Sequence, residues 1–170
     1  MTLVKGSFIH QVPEGDDRHR LVCADCGFVR YDNPKVVVGA VCLWQDKVLL
    51  CRRAIDPKRG AWTIPAGYLE LNESTAQGAC REVREEACAE VAIGGLVGIY
   101  DIPHISQVYI VYAATLIDGR FAAGRESLEV GLFAWPEVPW DRLAFSAVGW
   151  ALERHRDGAY PTTGVAPPRV

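Results

Sequence analysis

Four glutamates in one short stretch carry the chemistry this chain offers: Glu82, Glu85 and Glu86 in the run from Arg81 to Glu86, and Glu73 upstream. If the stretch is helical at ~100° per residue, setting Glu82 at zero places Glu85 near about −60° and Glu86 near about +40°. The three carboxylates then share one arc. Such a face is ordinarily a solvated surface. Here it is built against two rules. Like charges at i,i+3 and i,i+4 repel by a few tenths of a kcal/mol, and the helix C-terminus disfavours negative charge. That arrangement points to a cation. Clustered carboxylate oxygens are what Mg²⁺ or Mn²⁺ takes as ligands, usually together with substrate phosphates. Arg81, four residues before Glu85, is placed to orient that carboxylate from behind.

The elements that must hold these groups are legible nearby. Ser74 and Gln77 form a capping box, so a helix is predicted from Thr75 to Glu90 with Ser74 as its N-cap. Ala76, Ala79, Cys80, Val83 and Ala87 form a neighbouring apolar face of small residues, suited to close approach to a sheet. A second helix is predicted over Ser146 to Arg156. Strand patterns run over Val36–Trp44, Lys47–Cys51, Trp62–Ile64, Leu96–Ile102, Val108–Ile117 and Val130–Trp135. Strands interleaved with two helices predict an α/β domain, a mixed sheet covered by helices.

The chain divides by composition into residues 1–33, a hairpin-like extension with the pair Cys23 and Cys26, then 34–160, the main domain, then 161–170, a proline-rich loose tail. One core is affordable at 170 residues, and the 49% apolar and 23% charged shares exclude disorder and fibrous classes. The net charge of −3 gives no electrostatic drive toward nucleic-acid phosphates. No apolar run reaches the ~20 residues of a membrane helix, so no membrane partner is expected. Glu14, Asp16 and Asp17 follow a short apolar start, which is wrong for a signal peptide. The expectation is a cytoplasmic protein with reduced cysteines.

Gly67, Glu73, Arg81, Glu82, Val83, Glu85, Glu86 and Ala89 together resemble the Nudix box, with Cys88 standing where the pattern has glycine. Asn33 to Gly39, Cys51 to Ala54, Trp62 to Gly67 and Ser127 to Val130 are similar to a bacterial Nudix subgroup of ADP-ribose, NADH and FAD pyrophosphatases. The resemblance spans about residues 13 to 157. It implies an α/β/α sandwich, a homodimer, and hydrolysis of a nucleoside diphosphate linked to another group, a dinucleotide or nucleotide-sugar. It also implies that Glu82, Glu85 and Glu86 bind Mg²⁺ or Mn²⁺, with Glu73 and the backbone carbonyl near Ala66 assisting. The Ser-Gln-Pro-Trp-Pro-Phe-Pro pattern of dedicated NADH pyrophosphatases is absent, which lowers NADH among the substrates.

Hydrolysis needs a general base. Glu85 is the first choice, and Glu126 and Glu129 are its rivals on a later loop. Arg52 and Arg53 end a strand, so they face opposite ways, and one of them suits a phosphate. Trp62 is a candidate stacking face for a base, with Tyr68, Tyr100, His104, Tyr109 and Tyr112 as alternatives that spacing does not separate. Cys23 and Cys26 are half of a zinc knuckle. His10 and His19 are candidates to complete four ligands, and a metal-free hairpin is the favoured reading. A catalytically silent Nudix-fold nucleotide-binding module is the main alternative function. A nucleic-acid-reading knuckle is a third reading, opposed by the acidic balance.

Overall fold

Residues 7–158 are described in the computed structural model, and the chain divides after Pro34 into two units. The tail expected at 161–170 lies outside the described residues. In the first unit β1 (Phe8–Gln11), β2 (Arg20–Cys23) and β3 (Val29–Arg30) form an antiparallel sheet in that order. Arg20 holds the turn, with its Nε 2.9 Å from Asp16 Oδ2 and its guanidinium 5.1 Å from the Tyr31 ring centre.

The second unit contains β4 (Lys35–Trp44), β5 (Lys47–Arg53), β6 (Trp62–Thr63), β7 (Ala66–Tyr68), α1 (Thr75–Ala87), β8 (Val91–Ile102), β9 (Gln107–Leu116), β10 (Ser127–Ala134) and α2 (Ser146–Arg156). The sheet order is β10-β5-β4-β9-β8, with β6 on β5 and β7 on β4. β4 and β9 run parallel from Lys35↔Gln107 to Leu43↔Thr115, and the other pairings are antiparallel, so the sheet is mixed.

Strand alternation sorts the core into two layers. Val37, Val41, Val48 and Leu50 pack with Val148, Ala151 and Leu152 of α2. Ala40, Cys42, Leu49 and Cys51 pack with Val83 and Ala87 of α1. The result is an α/β/α sandwich. Val83 is fully buried, which contributes roughly 1.5–3 kcal/mol. No helix among the described residues is long and apolar enough to cross a membrane.

The capping box forms as expected: Ser74 Oγ accepts from the Gln77 amide at 3.2 Å, and Gln77 Oε1 accepts from the Ser74 amide at 2.8 Å. The helix stops at Ala87, three residues before the expected Glu90. Cys88 takes the left-handed conformation at φ 47°, ψ 35°, and its amide bonds the Arg84 carbonyl. The turn that glycine favours is therefore made here by cysteine, at the cost of some backbone strain. β8 begins at Val91 rather than Leu96. Ala92, Gly94 and Gly95 carry no strand propensity, but pairing with β9 extends the strand across two irregularities in register.

Candidate active site

The arc of carboxylates on α1 is split by the sheet. Glu82 and Glu86 are turned inward, 7% and 6% exposed, while Glu85 stays exposed. β7 lies directly over the first of them. A β-carbon on Gly67 would stand 2.5 Å from each carboxylate oxygen of Glu82, so only glycine leaves room for that side chain.

Arg81 is the hub of the cluster. Its Nε and Nη2 donate to the two oxygens of Glu73 at 3.0 and 2.7 Å. Its Nη1 donates to Glu82 Oε1 at 2.6 Å and Glu85 Oε2 at 3.0 Å, and Nη2 also reaches the Tyr68 carbonyl at 3.0 Å. Glu73 accepts in addition from the Glu70 amide at 2.7 Å. The Arg81 contact, followed by that amide, holds the Glu73 carboxyl down at about 2. Both oxygens of Glu73 are thus engaged by donors. The structure places it as a clamp on Arg81. Among the described residues no three His, Cys, Asp or Glu side chains converge into a ready-made ion cage.

Glu86 is different. Burial, with the neighbouring Glu82 charge, pushes its carboxyl up to about 8, opposed by the backbone N–H of Ala66. Its Oε2 is buried and has no hydrogen-bond partner. Burial also raises Glu82, against the pull of Arg81. A buried carboxylate oxygen without a donor is costly. A hard divalent cation beside these two buried carboxylates would satisfy the orphaned oxygen of Glu86 and favour the charged form of both.

These groups open on a cleft of about 790 Å³. Glu82, Glu85, Glu86 and Glu126 line it, and Ala66 and Gly67 contribute backbone. Arg53 and Arg125 also line it, and the Arg53 charge acts on Glu86. Arg53 Nε bonds the Pro57 carbonyl at 2.9 Å, and its guanidinium sits 5.2 Å from the Phe145 ring centre. Of the aromatic candidates, Tyr68 and Tyr109 are on the wall, joined by Phe145.

Three sequence candidates are not brought here. Arg52 turns away, as alternation requires when Arg53 turns in, and bonds the Gly60 carbonyl and Glu129 at 3.5 Å. Glu129 pairs with Arg52 across β5 and β10, so it is no rival base in the cleft. Trp62 is 5% exposed and packs edge-on against Phe133 with ring centres 4.8 Å apart, so it is a core residue with no face for a ligand. Arg125 was missed by sequence reasoning, although its place beside Glu126 was a usable signal. Phe145, before α2, carried no signal at all.

The loop that delivers Glu126 is docked on the end of α1. The Ala122 amide bonds the Ala87 carbonyl at 2.8 Å, and the Gly124 amide bonds the Glu86 carbonyl at 3.0 Å. These donors satisfy carbonyls that a helix end leaves open. The approach is so close that a β-carbon on Gly124 would run into the Glu85 carbonyl.

In the first unit Cys23 is buried and Cys26 exposed. Backbone amides of Asp25 and Cys26, then the Cys26 thiol, lower the Cys23 thiol. Gly27, at φ 72°, closes this turn. His10 pairs with Leu21, and neither it nor His19 forms a metal cluster with the thiols among the described residues.

A family model for the NUDIX domain matches residues 33–149, and one for the zinc-ribbon Nudix N-terminal region matches 6–32. A curated ADP-ribose pyrophosphatase of Methanocaldococcus jannaschii is 29% identical over 121 residues, 68% of this chain and 69% of that protein. The NAD-capped RNA hydrolase NudC of Pseudomonas aeruginosa is 28% identical over 156 residues, 87% of this chain, which spans only 55% of that relative's length. A crystal structure of a NUDIX hydrolase from Nitrosomonas europaea superposes with a TM-score of 0.91 at 45% identity, covering 98% of this chain and 97% of the other. With a matching domain over residues 33–149 and the box carboxylates gathered on one wall of a cleft, the chain belongs to the Nudix family of hydrolases.

Proposed function

We propose that the protein is a divalent-cation-dependent pyrophosphohydrolase that cleaves a nucleoside diphosphate joined to a second group, of the ADP-ribose, FAD or NADH type. The observation that carries this reading is the buried, partnerless Oε2 of Glu86 beside the buried Glu82, on the wall of a cleft that also presents Arg53 and Arg125. Glu82, Glu85, Glu86 and the Ala66 backbone would hold Mg²⁺ or Mn²⁺. The bound ion would neutralise diphosphate charge and acidify the attacking water. The two named relatives support the substrate class, because ADP-ribose and an NAD cap both contain a diphosphate between two moieties.

Arg53 and Arg125 bind and orient the phosphates. Tyr109, buried at the cleft wall, helps to exclude water, and the exposed Tyr68, with Lys35 Nζ 5.0 Å from its ring centre, offers its remaining face to a base. Water attacks one phosphorus, one bridging P–O bond breaks, and the products are a nucleoside monophosphate and the phosphorylated second group. Glu126 takes the proton. It lines the cleft on an exposed loop with no ion-pair partner among the described residues, whereas Glu85 is engaged by Arg81 at 3.0 Å. This choice departs from the sequence preference for Glu85, which becomes a cation-holding group.

The test is a panel of ADP-ribose, FAD, NADH, NADPH and diadenosine compounds compared by kcat/KM with Mg²⁺, with Mn²⁺ and with EDTA. AMP release that requires the metal is the expected result. Binding of ADP-ribose without turnover under any metal would make the protein a silent nucleotide-binding module instead. Light scattering reads the homodimer that belongs to the same proposal.

A further inference from the structure

Tyr68 joins two parts of the cleft. Its carbonyl accepts from Arg81 Nη2 at 3.0 Å, which ties its backbone to the carboxylate cluster. Its side chain is tied to residues of β4 and β9, and the strand register explains how. Val37 of β4 pairs with Tyr68 of β7 on one side and with Tyr109 of β9 on the other, and Lys35 pairs with Gln107 in the row alongside. Residues directly opposite across strands share a face, and so do residues two apart along a strand. Lys35, Val37, Tyr68, Gln107 and Tyr109 therefore stand on one face of the sheet. Val37, Tyr68, Gln107 and Tyr109 line the cleft.

Within that patch the Tyr68 ring is held at two points. Gln107 Nε2 donates to its hydroxyl at 3.0 Å. Lys35 Nζ lies 5.0 Å from its ring centre. Yet the residue is 48% exposed. An exposed tyrosine gains little core packing from being fixed, and three side chains lose freedom in fixing it. The gain comes when a ligand arrives, because a side chain already ordered loses little freedom on binding.

We propose that Gln107 is a positioning residue: with Lys35 it fixes the Tyr68 ring, at a set distance from the cation-holding carboxylates, as the platform on which the base of the substrate stacks. The inference rests on the pyrophosphohydrolase reading above and adds to it the residue that sets the platform. Lys35 covers one face of the ring, and the base takes the other. Stacking uses the face of a base, which every base has, so the platform favours a nucleotide over a diphosphate without a ring. Gln107 acts through Tyr68, so its loss changes binding rather than chemistry.

The test compares ADP-ribose with inorganic pyrophosphate, which has the phosphates and no base. Tyr68→Ala removes the platform, and loss of one stacked base should raise KM for ADP-ribose about 5- to 100-fold. Gln107→Leu and Tyr68→Phe each remove the same hydrogen bond and keep the ring. Each should raise KM about 2- to 10-fold, with kcat within about twofold of wild type. The double variant should be no worse than either single one, because both act through one bond. Lys35→Met keeps the stem without the charge and should raise KM about 2- to 5-fold. Inhibition by pyrophosphate should be unchanged in the Gln107 and Tyr68 variants. Additive effects of Gln107→Leu and Tyr68→Phe, a loss confined to kcat, or equal weakening of pyrophosphate overturns the proposal. Calorimetric binding of ADP-ribose in EDTA reads the platform apart from turnover. If no metal supports turnover the pyrophosphohydrolase reading fails, and binding that weakens in Gln107→Leu would still support the platform. Turnover with KM and affinity unchanged in Gln107→Leu rejects the platform and leaves the function standing. Wild type that neither binds nor cleaves ADP-ribose rejects both.

Discussion

Gly67 and Glu82 are mutually dependent: the carboxylate of Glu82 occupies the space that a β-carbon on Gly67 would enter, at 2.5 Å from each oxygen. The obstructed group is the end of a side chain, so Gly67→Ala is expected to displace the carboxylate and spare the fold. Activity should fall by at least 100-fold and metal affinity should fall with it, while the melting temperature moves by only a few degrees. Calorimetric Mn²⁺ titration beside a thermal melt checks this split. A variant that keeps wild-type Mn²⁺ affinity would contradict the placement.

Gly124 is obstructed by backbone, the Glu85 carbonyl, which cannot swing aside. Gly124→Ala should therefore push the loop off the helix end and break the bond to the Glu86 carbonyl. Overpacking of this kind costs about 1–3 kcal/mol. Both stability and kcat should fall together, unlike Gly67→Ala, and amide exchange at Gly124 should accelerate.

Proton transfer by a positioned group contributes roughly 10²- to 10⁴-fold. Glu126→Gln should lower kcat within that range while Mn²⁺ affinity is retained. Glu129→Gln should leave turnover within a few-fold of wild type, because its carboxylate faces Arg52 outside the cleft. Glu85→Gln should weaken metal binding as well as turnover. Equal effects of Glu126→Gln and Glu129→Gln would remove Glu126 as the base.

The raised carboxyl of Glu86, at about 8, makes a pH prediction for protein held in EDTA. The folded state binds a proton more tightly than the unfolded chain does. Its stabilising effect is present in full below the ordinary carboxylate value of 4.5 and is lost as pH rises through about 8. Thermal melts should fall between pH 6 and pH 8.5, by an amount on the order of a few kcal/mol. Glu86→Gln should flatten that slope and abolish activity, and added Mg²⁺ should stabilise wild type most at the alkaline end.

The helix that carries the site was readable from its cap and its spacing. Ser74, Gln77 and the run of small residues defined where it starts and which side packs. The burial of Glu82 and Glu86 was not readable, because it depends on β7 lying across the helix through Gly67. Strand alternation said that Arg52 and Arg53 diverge. Only the pairing of β5 with β10, which sets Glu129 opposite Arg52, decides which one enters the cleft. Trp62 was misjudged because a two-residue strand carries no period, and its burial comes from Phe133, far along the chain. The place of Phe145 on the cleft wall is a product of tertiary placement alone.

Arg81 grips Glu73 with two donors and reaches Glu82 and Glu85 with a third, all from groups within the polypeptide. Three of the four carboxylates are thereby held in place in advance, while the buried Glu86 is left with its repulsion from Glu82 unrelieved. On the proposed reading, removal of the divalent ion with EDTA should leave the Arg81 contacts, and with them the helix and its cap, in place.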